Sequence, residues 1–206
     1  TASVRDQLAG EGIGPVRPWG RGVDLASFTP DAPPPACYAS LPRPIQLYVG
    51  RIAVEKNIEA FLRSDLPGAK VVVGDGPARA ELAAAFPGAR FLGAMSGRAL
   101  AGAYAGADVF CFPSRTDTFG LVMIEALACG TPVAAYPVSG PIDIVTPEVG
   151  ALDEDLSMAM ALALTRDRAS CAAYGRTFSW RESARQFVEA LVPVVGRDAA
   201  GVLAHS

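Results

Sequence analysis

Two carboxylates, Asp117 and Glu125, flank the predicted start of a helix within residues 114–133. An apolar run ends at Phe112, a polar loop follows, and Gly120 opens the helix. A junction of strand, loop and helix directs free backbone N–H groups and the positive end of a helix dipole at one point. A phosphate group fits such a point, and Gly120 permits its close approach because glycine has no Cβ atom.

The carboxylates at this junction are unsuited to bind phosphate, because like charges repel. They are suited to accept hydrogen bonds from hydroxyl groups on either side of a diphosphate. A molecule in which hydroxyl groups flank a diphosphate is a nucleotide sugar. The segment therefore predicts a nucleotide-sugar site in which Asp117 and Glu125 accept hydrogen bonds from hydroxyl groups.

The same segment resembles the signature of the retaining glycosyltransferases of family 4, which have the two-domain GT-B fold. That signature is an acidic residue, a small residue, Phe-Gly, a short apolar stretch and then Glu-Ala-hydrophobic-Ala-small-Gly-x-Pro-Val. This chain has Asp117, Thr118, Phe119 and Gly120, followed by Glu125-Ala-Leu-Ala-Cys-Gly-Thr-Pro-Val. The family more often has glutamate at the first acidic position, so the side chain of Asp117 is one methylene shorter.

The resemblance implies a role for each of these groups. Glu125 is expected to hold the ribose hydroxyls and Asp117 the hydroxyls of the sugar ring. Backbone groups from Phe119 through Gly120 to Leu121 are expected to hold the diphosphate. We expect no metal ion and no cofactor, because no cluster of metal-ligand side chains is visible in the sequence.

Two cations follow the first predicted strand. Gly50-Arg51 ends that strand, and Glu55-Lys56-Asn57 opens the next helix. Ligands of doubly wound folds bind at the carboxyl ends of the strands, so Arg51 and Lys56 can face one crevice and neutralise a pyrophosphate. In the family, this pattern supplies the diphosphate clamp. Arg51 and Lys56 are therefore expected catalytic residues, together with Asp117 at the sugar ring. The structural alternative is a pair of surface cations, one of them paired with Glu55.

The base is expected near Phe91-Leu92-Gly93, at the end of the third strand. The resemblance implies that backbone groups there hold the edge of the base and that neighbouring side chains cover its face. A core strand that ends in glycine explains Phe91 and Leu92 equally well. The glycine pair Gly74-Asp-Gly76 is a weak motif, and we interpret it as a tight turn rather than a nicotinamide site.

Short apolar runs alternate with helical patterns along most of the chain, which predicts a doubly wound, mostly parallel α/β sheet of the Rossmann type. Strands are expected at 45–49, 70–73, 90–92, 109–112 and 133–136, with a weaker sixth strand around Ala151. Helices are expected at about 57–64, 78–85, 97–105 and 121–129.

The resemblance also predicts the domain organisation of a C-terminal half of a GT-B enzyme. Residues 1–40 are expected to be the end of an N-terminal domain and a proline-rich linker, and 41–177 the nucleotide-sugar-binding domain. Residues 178–206 are expected to form a final helix that crosses back toward a missing N-terminal domain. Its apolar face comprises Trp180, Ala184, Phe187, Val188 and Leu191.

Composition narrows the classes of partner. The 206 residues include 18 basic and 21 acidic side chains, giving a net charge of −3 without a basic run, which argues against nucleic acid. The sequence has neither a secretory signal nor an apolar window of about 18 residues, so we expect a cytoplasmic protein, with peripheral attachment to the inner membrane face only through the missing domain. The cysteines lack metal or redox spacing, and His205 lies too near the C-terminus to serve in catalysis.

These patterns predict a metal-independent hexosyltransferase that takes a UDP- or GDP-hexose and retains the anomeric configuration. The acceptor, a sugar or a lipid, would be bound by the missing domain, so the chain alone is expected to be inactive. Two alternatives share the fold: a non-catalytic nucleotide-sugar-binding module, and an enzyme of another reaction such as a nucleotide-sugar epimerase or a phosphorylase. A phosphorylase needs a lysine that anchors its cofactor, and neither Lys56 nor Lys70 suggests one.

Overall fold

The structure, a computed structural model, describes residues 2–14, 16–17, 19–117 and 119–191. Its centre is a six-stranded sheet in the order β3-β2-β1-β4-β5-β6, and every neighbouring pair is parallel. This order reverses between β1 and β4, as in doubly wound folds, which confirms the predicted fold class. The strands are β1 Ile45–Val49, β2 Ala69–Val73, β3 Arg90–Gly93, β4 Val109–Phe112, β5 Val133–Ala135 and β6 Gly150–Leu152.

Helices lie between the strands and at both ends of the described chain. The four helices predicted between the strands are present with their bounds shifted by one residue at most. None of the described helices is long and apolar enough to cross a membrane. The α-helices are α1 Ala2–Gly10, α2 Ile58–Arg63, α3 Arg79–Ala85, α4 Gly97–Gly106, α5 Leu121–Ala128, α6 Pro141–Ile144, α7 Leu156–Ala163, α8 Arg168–Gly175 and α9 Trp180–Ala190, and single 3-10 turns occur at Ala36–Ser40 and Val54–Lys56.

The central strands are mostly apolar because helices cover both faces of the sheet, and the polar Gln46 of β1 is also buried. Along β1, Leu47 enters the core on one face, whereas Tyr48 enters the core on the other. In β4, Phe110 and Cys111 divide between the two cores in the same way. Each of these side chains is buried, so the sheet forms a rigid support for the loops at its carboxyl edge.

Helix α9, at the end of the described chain, packs against the segment that contains Trp19. Ser179 caps helix α9 by accepting a hydrogen bond from the N–H of Glu182 at 3.1 Å. The indole N–H of Trp19 donates to the carbonyl oxygen of Ser183 at 3.1 Å, and the ring of Trp19 lies 5.2 Å from that of Phe187.

The predicted domain boundaries stay predictions. Residues 192–206, which include His205, lie outside the described residues.

Much of the predicted apolar face of α9 is exposed. The exposed fractions are 55% for Trp180, 64% for Val188 and 59% for Leu191, which follows the helix. Phe187 is half-exposed although it contacts Trp19. Within residues 2–191 this face is therefore only partly covered, and Leu191 lies beyond the last helical residue.

Candidate functional site

An open cavity of about 590 Å³ lies at the carboxyl ends of β1 and β4, where the strand order reverses. It brings together seven of the residues predicted for the site: Gly50, Arg51, Lys56, Asp117, Phe119, Gly120 and Leu121. The remaining lining residues are Arg21, Tyr48, Val49, Glu55, Phe112, Ser114 and Val122. Among the predicted site residues, Phe91, Leu92 and Glu125 do not line this cavity.

The centre of the cavity is an ion pair between Lys56 and Asp117, whose Nζ and Oδ1 atoms are 2.6 Å apart. Each side chain is about a quarter exposed, at 25% and 27%. An ammonium group has three N–H donors, and Asp117 engages one of them, so two remain for a ligand. The pair can therefore bind an anion through Lys56 and a hydroxyl group through the free lone pairs of Asp117.

Asn57 holds the two loops of this ion pair together. It adopts a left-handed conformation, with φ of 53°, which asparagine tolerates better than most residues. Its side-chain amide donates a hydrogen bond to the carbonyl oxygen of Pro113 at 3.2 Å. The loop after β1 and the loop after β4 are thus tied to each other beside Lys56 and Asp117.

Arg51 is more exposed than Lys56. Its side chain is 65% exposed and pairs with Glu55 at 3.2 Å, as the structural alternative for Glu55 anticipated. An exposed pair of this spacing contributes only about 0.3–0.5 kcal/mol, so the guanidinium group can exchange Glu55 for a phosphate. The backbone of Arg51 is fixed, because its carbonyl oxygen accepts a hydrogen bond from the Tyr48 hydroxyl at 2.9 Å.

The start of α5 supplies backbone donors to the cavity. Gly120 is the N-cap residue, with φ of 73° and ψ of 69°, and as a glycine it has no side chain that could cap the first N–H groups. A Cβ atom on Gly120 would lie 2.7 Å from the methyl group of Met123 and 3.1 Å from the Phe112 ring. The backbone conformation therefore favours glycine, and a side chain here would also press on Met123 and Phe112.

Ser114 is a lining residue that the sequence interpretation missed. Its side chain is 1% exposed, and its hydroxyl oxygen has no hydrogen-bond partner among the described residues. A buried hydroxyl without a partner costs about 1–3 kcal/mol. A ligand in the cavity could supply the partner. The position of Ser114 shortly after the end of β4 could have indicated from the sequence that it lines the site.

Glu125 lies one turn further along α5, where its Oε2 atom accepts a hydrogen bond from the Tyr104 hydroxyl at 2.9 Å. Tyr104 is fully buried. Burial raises the pKa of the Glu125 carboxyl group, although the hydrogen bond from Tyr104 lowers it. Glu125 thus has a structural partner, and its contact to a ribose stays a prediction.

Phe91 and Leu92 are partly buried and pack against the core. The side chain of Phe91 packs against the buried cluster on one face of the sheet, and that of Leu92 against the cluster on the other. The structural interpretation accounts for both side chains. A contact of the β3 backbone with the base stays a prediction.

Arg21 is the second residue that the sequence interpretation missed, since it lies in the segment interpreted as a linker. It lines the cavity together with Arg51 and Lys56. Among the described residues, no group of three or more histidine, cysteine or acidic side chains could hold a metal ion.

Comparisons with known proteins point to one family. The family model described as Glycosyl transferases group 1 matches residues 43–166. The chain is 41% identical over 154 residues to a GDP-mannose-dependent alpha-mannosyltransferase of Mycolicibacterium smegmatis, covering 71% of the chain and 40% of that protein. It is 39% identical over 140 residues to the sulfoquinovosyl transferase SQD2 of Arabidopsis thaliana, covering 63% of the chain and 28% of that protein.

The fold has a counterpart among solved structures. Sucrose-phosphate synthase from Thermosynechococcus elongatus superposes with a TM-score of 0.76 at 27% identity, covering 92% of this chain and 55% of that one. The chain thus spans 40% of the length of the mycobacterial mannosyltransferase and about half of the solved synthase.

Proposed function

This chain belongs to the group 1 glycosyl transferases, and on that premise we propose that its cavity binds the nucleoside diphosphate hexose from which the sugar is transferred. One observation carries the proposal: Arg51, Lys56 and the start of α5, whose N-cap residue is Gly120, meet in a single cavity at the switch point of the sheet. Two cations and a helix N-terminus are complementary to a diphosphate. This complementarity favours the diphosphate of the donor as the group held there.

The same groups suit the chemistry of transfer. Breaking the bond between the anomeric carbon and the diphosphate places negative charge on the leaving diphosphate. Donors fixed at that position stabilise the transition state more than the ground state. With Lys56, Arg51 and the N–H groups of α5 available, we propose that the reaction proceeds without a metal ion.

Asp117 is proposed to bind a hydroxyl group of the hexose. Its contact with Lys56 places the carboxylate next to the group assigned to the phosphates, which is where a sugar joined to a diphosphate begins. We further propose that transfer retains the anomeric configuration. The acceptor, a sugar or a lipid, would bind to a second domain, as the predicted GT-B organisation requires.

GDP-mannose is the proposed donor. The name of the mycobacterial relative specifies GDP-mannose, whereas SQD2 and sucrose-phosphate synthase are named for other products. The GDP-mannose-dependent relative is matched over a larger share of this chain than SQD2, 71% against 63%, and at higher identity than the synthase, 41% against 27%. This supports guanosine as the base and mannose as the sugar.

Calorimetric titration of the chain with guanosine, GMP, GDP and UDP tests the proposal. We expect affinity to rise from guanosine to GMP to GDP, GDP to bind more tightly than UDP, and EDTA to leave the values unchanged. Equal affinities for guanosine and GDP would contradict the diphosphate site. Preference for UDP would contradict only the base.

Glu125→Gln tests the ribose assignment. Loss of the charged acceptor is expected to lower affinity for both GDP and guanosine about 10-fold, because hydrogen bonds to charged groups contribute about 1.5–3 kcal/mol. Tyr104→Phe is the matched control, since it removes the hydroxyl that Glu125 accepts from and leaves the carboxylate in place. Unchanged nucleotide affinity in Glu125→Gln would leave Glu125 with a structural role only.

The raised pKa of Glu125 gives this assignment a pH dependence. Because the folded-state pKa is raised, the stability linked to this group is fully present below the ordinary glutamate pKa and is lost as the pH rises through the raised value. Nucleotide affinity is expected to depend on pH in the opposite direction, because only the ionised carboxylate of Glu125 serves as the charged acceptor for the ribose hydroxyls. GDP affinity should therefore fall as the pH falls through the raised pKa, and Glu125→Gln should flatten that part of the profile.

Ser114→Ala separates a ligand contact from a packing role. Removing a buried hydroxyl without a partner should leave the free energy of unfolding unchanged or raise it by about 1 kcal/mol. The same change should weaken GDP binding about 5-fold if the ligand supplies the partner. Ser40→Ala, at an exposed serine remote from the cavity, is the control. A loss of stability without a change in GDP affinity would contradict the ligand contact.

A further inference from the structure

Arg21 differs from the other cations of the cavity in having no acidic partner. Arg51 pairs with Glu55, and Lys56 pairs with Asp117. Within the described part of the chain, Arg21 makes no ion pair, and its guanidinium lies over the ring of Trp19, 5.0 Å from the ring centroid. The charged lining of the cavity is otherwise balanced, so Arg21 gives it one uncompensated positive charge.

A defined set of contacts holds Arg21 at the edge of the cavity. We call it the linker–α9 joint, formed by residues 19–22 together with Trp180, Ser183, Gln186 and Phe187. The indole N–H of Trp19 donates to both the carbonyl and the hydroxyl oxygen of Ser183 at 3.1 Å. The backbone N–H of Gly20 donates to Oε1 of Gln186 at 2.9 Å.

Gly22 closes the joint on the other side of Arg21. A Cβ atom on Gly22 would lie 2.5 Å from the backbone of Trp180, so the backbones of linker and helix are in direct contact. Arg21 therefore lies between two residues that are fixed on α9, Gly20 and Gly22. Its position beside the cavity is set by packing and does not depend on a counter-ion.

We propose that Arg21 binds the diphosphate of the donor as a third cation, and that this contact links donor binding to the linker–α9 joint. The proposal rests on the proposed function, since it deepens the assignment of the same cavity. A guanidinium group presents several N–H donors in a plane, so it can contact phosphate oxygens while it stays near the indole ring. Trp19 contacts both the guanidinium group of Arg21 and Ser183 of α9, so it is the residue that would transmit the effect of phosphate binding to the helix.

Binding experiments on the 206-residue chain test the contact. Arg21→Ala should lower GDP affinity about 10-fold and leave guanosine affinity unchanged, because the lost hydrogen bonds are to charged phosphate oxygens. Arg17→Ala is the matched control. Arg17 lies in the same segment and donates to the carbonyl oxygen of Glu189 at 3.1 Å, but it does not line the cavity. GDP affinity should be unchanged in Arg17→Ala.

Tryptophan emission tests the link to the joint. The chain has two tryptophans, Trp19 and Trp180, and both belong to the linker–α9 joint. In Trp180→Phe, emission comes from Trp19 alone and should change on addition of GDP, with the affinity that calorimetry gives. Adding Arg21→Ala to this variant should remove the emission change at GDP concentrations that saturate the site.

The possible failures are distinguishable. GDP affinity that falls in Arg51→Ala but not in Arg21→Ala would overturn the role of Arg21 and leave the proposed function standing. Equal losses for guanosine and GDP in Arg21→Ala, or a loss in Arg17→Ala as large as in Arg21→Ala, would overturn the phosphate contact. Constant Trp19 emission during GDP binding would overturn the link to the joint. Failure of the unmodified chain to bind either GDP or UDP would remove the proposed function, and this inference with it.

Discussion

Replacing Lys56 with alanine is expected to lower GDP affinity about 100-fold, at the upper end for one charged hydrogen-bonding group. Two effects add in the same direction. The phosphates lose a cation, and Asp117, now without its partner at 2.6 Å, repels them. Calorimetry with GDP and guanosine should show the loss for GDP alone.

A double variant separates the two effects of this change. Lys56→Ala combined with Asp117→Asn removes the repulsion and should recover part of the lost GDP affinity. Arg63→Ala is the control, because Arg63 lies on the neighbouring helix α2 in an exposed ion pair with Glu59 and away from the cavity. GDP affinity that is the same in Lys56→Ala and the unmodified chain would contradict the assignment of Lys56.

Replacing Gly120 with valine is the second change with a large expected effect. At φ of 73° a β-branched residue is strained, and its Cβ atom meets Met123 and Phe112. We expect the free energy of unfolding to fall by about 2 kcal/mol and GDP affinity to fall about 100-fold, because the side chain also covers the first N–H groups of α5. Urea unfolding and calorimetry measure the two effects.

Controls for the glycine variant come from the same chain. Gly88→Ala introduces a Cβ atom into open space and should change neither stability nor binding. Gly120→Ala keeps the backbone strain with less bulk, so it tests the site if the valine variant does not fold. Unmodified GDP affinity in a folded Gly120→Val protein would exclude the start of α5 as the phosphate site.

The strands of the sheet could be predicted because their sequences are apolar on both faces. Leu47 and Tyr48 are buried in separate cores, and the same holds for Phe110 and Cys111. Helices α7 and α8 were not predicted. In α7, apolar residues occur on all sides, and Met158 and Leu162 are exposed, so no helical period is visible.

The start of helix α8 could have been predicted from the residue that precedes it. Asp167 precedes the helix, and its carboxylate accepts a hydrogen bond from the N–H of Ser170 at 2.8 Å. An aspartate in that position is a common start of a helix. By contrast, the 3-10 turn that places Lys56 beside Asp117 depends on Asn57 in a left-handed conformation, which the sequence does not specify uniquely.

The predicted site residues that line the cavity follow β1 and β4 along the chain: they lie in the loops after these strands, and Leu121 is the first residue of α5. Parallel strands bring such loops to one edge, so Lys56 and Asp117 could be placed together from the sequence. Arg21 could not, because it depends on contacts between Trp19 and Ser183, which are 164 residues apart. The missing partner of Ser114 is a property of packing and has no pattern in the sequence.

A crystal structure of the chain with GDP would test the central claim most directly. We predict that a phosphate of the diphosphate lies about 2.7–3.2 Å from Nζ of Lys56 and from an N–H group at the start of α5, with Arg51 turned from Glu55 toward the phosphates. GDP bound outside this cavity, or bound with its phosphates away from both Lys56 and the start of α5, would contradict the account.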